Sequence, residues 1–160
     1  MIKAHLGSRQ VARVVYGAII GLALIVALQK HPPAAGTMIA SLLGTAVAVG
    51  LAELYAEIVG IETSERHRVR RDQFGELIDD SLAVAFGVAF PAVFFLLAAA
   101  GAIEIDTAFD LAKWTGLGLI AFYGFVAARF AGTSMAGAVI RGAGAAAIGA
   151  ALIAFKALVH

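Results

Sequence analysis

Apolar residues along this chain fall into five runs that short polar breaks separate. A membrane-spanning helix needs about 20 mostly apolar residues, and each run is close to that length. No strand-like alternation is present, so the pattern predicts an all-α membrane protein, a bundle of five transmembrane helices in a single domain over residues 1–160. The predicted spans are 11–28, 35–60, 82–103, 111–130 and 134–159. The polar segment 61–81 forms a cytoplasmic loop, and the second helix is expected to continue into it as a polar helix beyond the membrane.

Composition agrees with this pattern and leaves no room for a separate soluble domain. Of the 160 residues 61% are hydrophobic and 14% are charged, and the mean hydropathy is +0.92. Soluble domains are far more polar. The chain has no cysteine, which excludes disulfides, thiolate metal sites and a cysteine nucleophile.

Prolines and glycines mark the ends and bends of the predicted helices. The pair Pro32-Pro33 ends the first helix, because proline disfavours helix in the residue before it. Pro91 is expected to kink the third span. Gly132 to Ser134 joins the last two spans tightly. No tandem motif is visible, and the many small residues of the fifth span indicate close helix packing.

Lysine and arginine are distributed unevenly between the two sides of the predicted spans. With a cytoplasmic N-terminus, the positive-inside rule is satisfied, so we expect a multi-pass protein of a bacterial cytoplasmic membrane. A nucleic-acid partner is not expected, because no soluble fold presents the basic residues. The inner residues are Lys3, Arg9, Arg13, Arg66, Arg68, Arg70, Arg71, Arg129 and Arg141, and the outer ones are Lys30, Lys113 and Lys156.

Two acids in the second span, Glu53 and Glu57, are the leading candidates for a functional site. Residues four apart lie on one face of a helix, so both would share a stripe with Gly50 and Ala46. A charged side chain at the bilayer centre costs about 2.5 to 3.5 kcal/mol on insertion scales, and such acids often serve ion or proton pathways. The alternative is that both are interfacial or pair with arginines. We interpret them as metal ligands.

Asp79 and Asp80 open the third span on the same side of the membrane as Glu57. The helix dipole favours acids at this position, so capping is one interpretation. If the second and third helices are adjacent, these carboxylates would meet Glu57 and form an oxygen-rich entrance. Hard and borderline divalent cations such as Fe²⁺ or Mn²⁺ prefer such ligands.

Other charged residues have simpler interpretations. His67 lies between two arginines, which oppose metal binding, and is expected on a solvated face. Arg141 either pairs with an acid of the second span or extends to the interface. Asp110 and Lys113, three residues apart at the start of the fourth helix, are expected to form a weak surface pair.

Enzymes are the least supported class of function. No histidine lies within a span, no serine is flanked by a plausible base, and no phosphate-cradling glycine loop is present. Two other classes compete with metal transport. One is a non-transporting membrane subunit that docks partner helices through its glycine- and alanine-rich faces. The other is a proton or small-molecule transporter in which Glu53 takes protons.

With five spans, an acid in the second and a proline in the third, the chain resembles the vacuolar iron transporter family. The second-helix pattern of that family, a small-residue run leading to Gly-Glu-Tyr, resembles Val49 to Tyr55. Its third-helix pattern of Phe, Gly and Pro resembles Phe86 to Pro91. The turn at 132–134 and the small-residue ending at 142–149 are also similar.

The resemblance implies a homodimer of five-helix subunits that moves Fe²⁺ and similar divalent ions out of the cytosol against protons, with Glu53 in the pathway and no permanently bound cofactor. The chain differs from the family in three places. Tyr16-Gly17 stands where the family has an Asp-Gly pair, the methionine after the second-helix glutamate is missing, and the loop at 61–81 is short. A separate membrane or cytoplasmic partner would then supply the family's glutamate-rich metal domain.

Overall fold

The chain folds into helices joined by short turns. The computed structural model describes residues 8–159, apart from the side chains at 8, 9, 72, 152 and 156–159. The basic N-terminal tail and the charges of Lys3, Arg9 and Lys156 therefore lie outside the described residues. The described part contains six helices and no strand: α1 (Ser8–Leu28), α2 (Ala35–Glu65), α3 (Arg71–Ala89), α4 (Ala92–Ala99), α5 (Ile105–Phe130) and α6 (Met135–Val159).

Four of these helices, α1, α2, α5 and α6, are long and apolar enough to cross a membrane. The pair α3 and α4 makes a fifth candidate span, bent by 46° where the two helices meet. Pro91 lies at the bend, lacks the amide hydrogen that would continue the helical ladder, and clashes with the preceding turn. The predicted all-helical fold, with four or five segments long and apolar enough to span a membrane, and the kink at Pro91 are confirmed.

Two boundaries differ from the sequence-based expectation. Most of the segment 61–81, expected as a loop, is helical, because α2 continues to Glu65, as predicted, and α3 begins at Arg71. The break between them is short: Arg66 has the left-handed φ of 56°, and the side-chain oxygen of Gln73 accepts a hydrogen bond of 3.0 Å from the Arg70 amide. Polar residues extend a helix into water readily, since helical hydrogen bonds do not depend on an apolar side chain.

The second difference concerns the start of the fourth span, predicted at residue 111. Helix α5 begins at Ile105, so Asp106 and Asp110 are helical residues. Asp110 accepts a hydrogen bond of 2.8 Å from Lys113, which confirms that predicted pair, and one of 3.2 Å from Gln29. Gln29 joins this pair to the end of α1.

The two halves of the bundle are related by an internal repeat of 70 positions. Helix α2 begins at residue 35 and α5 at residue 105, and most of the buried positions are the same in both repeats. In α2 and α5 these are Met38 and Ala108, Leu42 and Ala112, Ala46 and Gly116, and Gly50 and Ile120. In α1 and the α3–α4 pair they are Val11 and Ser81, Val14 and Val84, Ala18 and Val88, Leu22 and Ala92, and Ile25 and Phe95. Helix α6 lies outside the repeat. No tandem motif is visible in the sequence because the halves share burial more than residue identity.

Helices α1 and α3 cross at glycines that the repeat places in equivalent positions. A Cβ atom on Gly17 would collide with the carbonyl oxygen of Val84, and one on Gly87 would collide with the carbonyl oxygen of Val14. The contacts are reciprocal, and Gly21 meets Val88 one turn further along. The two helices therefore run parallel, and a pseudo-twofold axis lies between them along the helix direction. Parallel repeats of this kind build some membrane transporters.

Candidate functional site between the first two helices

Glu53 and Glu57 both face α1, as their four-residue spacing predicts. Each carboxylate forms an ion pair with Arg13: Glu53 with the Nη1 nitrogen and Glu57 with the Nη2 nitrogen. The side chains are largely enclosed, with exposed fractions of 23% for Arg13, 17% for Glu53 and 16% for Glu57. One guanidinium therefore joins two carboxylates from the next helix.

The local fold explains why these three side chains meet. Helices α1 and α2 are joined by the short connection at 29–34, so they run in opposite directions. The start of α1, with Arg13, then lies at the depth of the last third of α2, with Glu53 and Glu57. A planar guanidinium presents several donors in a fixed fork and stays charged, which suits it to bridging two carboxylates.

The three charges sum to one excess negative charge, since two carboxylates face one guanidinium. Charges taken out of water are costly, and only close pairing with good geometry offsets that cost. The guanidinium of Arg13 offsets part of that cost for both carboxylates. Any other cation that binds between the glutamates has to compete with the guanidinium.

The remaining two predicted ligands, Asp79 and Asp80, lie in different surroundings on α3. Asp80 is buried, at 6% exposure, while Asp79 is exposed and lines a separate cavity that contains neither Glu53 nor Glu57. Within residues 8–159, no group of three or more His, Asp or Glu side chains is placed to hold a metal ion. Glu53 and Glu57 come together at Arg13, and the metal-ligand role of the four carboxylates stays a prediction. Adjacent acids on α3 point in different directions, since neighbours on a helix are about 100° apart.

Arg13 is the member of this site that residue spacing does not identify. In the sequence it is one of the inner positive charges, and Arg141 is the predicted partner of the acids. Arg141 instead lies exposed on α6. The signal for Arg13 is its position inside an apolar run, because intramembrane cations usually pair with acids.

Two other candidate positions lie away from this site. The His67 ring is 2.8 Å from Glu65, and both side chains are about half exposed, in agreement with the solvated face predicted for it. Tyr16, which stands where the resembling family has a carboxylate, is 49% exposed. Neither contributes an enclosed ligand.

Comparison with protein-family models, curated proteins and solved structures finds no match for this chain. The interpretation of the site therefore rests on its geometry.

Proposed function

We propose that the protein is a membrane transporter of divalent cations of the Fe²⁺ and Mn²⁺ type, in which Arg13 holds the Glu53–Glu57 pair closed and the transported ion displaces it. The observation that carries this proposal is the pair of enclosed carboxylates in an apolar helix sharing one guanidinium from another helix. Two glutamates without Arg13 carry the charge that neutralises one divalent ion. Carboxylate oxygens are suitable ligands for such ions.

Proton coupling follows from the same three side chains. A proton on either glutamate removes one of the charges that hold Arg13, so protonation and release of the guanidinium are linked. A divalent ion and protons then compete for the same oxygens, as an exchanger requires. The resemblance to vacuolar iron transporters supports this direction of exchange and a homodimer in a bacterial cytoplasmic membrane.

Flux in proteoliposomes tests the proposal. We expect Mn²⁺ or Fe²⁺ uptake by the purified protein, and a fall of about tenfold or more for Glu53→Gln, since one lost charge-assisted ligand interaction is worth about 1.5 to 3 kcal/mol. Glu62→Gln is the matched control, because Glu62 lies exposed near the end of the same helix. Equal flux for wild type and Glu53→Gln would remove the proposal. Flux that follows a pH gradient without any divalent ion would support proton transport instead.

A second candidate function is a non-transporting subunit that docks a partner helix. An apolar groove of about 240 Å³ lies between α2 and α3, lined by Val47, Gly50 and Leu51 among others. In the second repeat the equivalent positions, Leu117, Ile120 and Ala121, are covered by α6 through Gly149 and Gly142. By analogy, the groove can accept one helix that is rich in small residues.

Purification of the protein distinguishes between the two proposed functions. A stoichiometric membrane partner that is lost when Val47→Trp fills the groove from an exposed position, together with no cation flux, would favour the docking subunit. Flux by the chain alone, sensitive to Glu53→Gln, would favour the transporter.

A further inference from the structure

A cavity that is open to the surface lies between α1, α3 and α5, outside the site of Arg13. The cavity has a volume of about 260 Å³ and is lined by both polar and apolar side chains. Its polar members are Gln10, Asp79 and Tyr123, and its walls include Val14 and Ala83. Neither the proposed transport function nor the alternative uses this cavity.

The internal repeat shows why this space is open. Seventy positions after Arg13, Glu53 and Glu57 come Ala83, Tyr123 and Ala127. The cavity therefore occupies, in the second repeat, the place that the Arg13 ion pairs occupy in the first. Alanine has no side chain beyond Cβ, so the space that an arginine and a glutamate fill in one half is left open in the other.

The charged side chains that line the cavity indicate which charge a bound ligand would carry. Among the described residues that line the cavity, Asp79 is the one acid, and none is a lysine or an arginine. A single carboxylate and no second acid at the cavity favour a monovalent cation over a divalent one, which needs more anionic ligands. The Tyr123 ring can also attract a cation to its face.

The apolar side chains that line the cavity indicate that the uncharged part of a bound ligand would be apolar. Apolar side chains such as Val14 lie beside the polar groups, so a molecule with an apolar stem and a charged head matches both parts. The side chain of arginine has this form, and an arginine fills the equivalent space in the first repeat.

We propose that this cavity binds a small alkylguanidinium or alkylammonium ion, with its charged head at Asp79 and its apolar stem against Val14 and Ala83. The proposal does not depend on transport through Glu53, because the two sites share no lining residue.

Calorimetry on the full-length purified protein tests the proposal with n-propylguanidinium, the side-chain analogue of arginine, and with n-propylurea as its neutral isostere. We expect binding of the guanidinium and none of the urea. Asp79→Asn is expected to weaken binding by about tenfold or more, the loss of a hydrogen bond between charged groups. Ala83→Leu is expected to abolish binding by filling the cavity.

Asp106→Asn is the matched control, because Asp106 is an exposed acid at the start of α5 and should leave binding unchanged. No binding of n-propylguanidinium at 10 mM, about the weakest affinity of interest for a small ligand, would overturn the proposal. So would equal binding of n-propylurea or an unchanged affinity in Asp79→Asn. If Ala83→Leu does not fold, Asp79→Asn decides, since an exposed position tolerates the amide.

Discussion

Replacing Arg13 by alanine is expected to destabilise the folded protein by about 3 kcal/mol, the lower end of the cost of leaving buried charges without their partner. Two enclosed glutamates would then face each other without a cation. The measurement is the free energy of unfolding in detergent micelles. Arg141→Ala is the control, because Arg141 is exposed and its loss should change stability by less than about 0.5 kcal/mol.

A compensating variant separates charge from packing in this prediction. Arg13→Gln combined with Glu53→Gln and Glu57→Gln removes all three charges and keeps similar side-chain volumes. We expect it to recover most of the stability lost in Arg13→Ala, because no unpaired charge remains. If the triple variant is as unstable as Arg13→Ala, packing of the arginine stem and not charge would explain the loss.

Gly17→Ala and Gly87→Ala are each expected to cost about 3 kcal/mol or more, the upper end for overpacking. In both cases the added Cβ meets a backbone carbonyl of the facing helix, which cannot rotate away. The pseudo-twofold relation predicts similar losses for the two variants. Unfolding measured by the same method as for Arg13 provides the values.

Gly44→Ala is the matched control for these variants. Gly44 also lies within a helix, but an added Cβ there meets no atom within 4 Å. Alanine is the better helix former by about 1 kcal/mol, so the change should be neutral or stabilising. A loss in Gly44→Ala equal to that in Gly17→Ala would contradict the close crossing of α1 and α3.

The sequence supports predictions within one helix better than predictions between helices. The shared face of Glu53 and Glu57, the kink at Pro91 and the Asp110–Lys113 pair all follow from spacing along the chain or from one residue's backbone chemistry, and the structure confirms them. These features depend on local geometry, which sequence spacing fixes directly.

Contacts between helices depend on which helices are neighbours, and the spacing of residues within one helix does not specify this. Arg13 and Arg141 are both cations in apolar helices, and only the antiparallel pairing of α1 with α2 selects Arg13. Asp79 and Asp80 are adjacent in sequence, yet one is exposed at a cavity and the other is buried. The internal repeat is not recognisable from the sequence either, because Leu42 and Ala112 occupy equivalent buried positions but are different residues.

The central claim is that Arg13 and a divalent cation compete for the same two carboxylates. Mn²⁺ binding to the purified protein, followed by electron paramagnetic resonance in wild type, Arg13→Gln and Glu53→Gln, tests it most directly. We expect opposite changes: tighter binding in Arg13→Gln, where the competing guanidinium is gone, and weaker binding in Glu53→Gln, where a ligand is lost. Weaker or unchanged Mn²⁺ binding in a folded Arg13→Gln protein would contradict it.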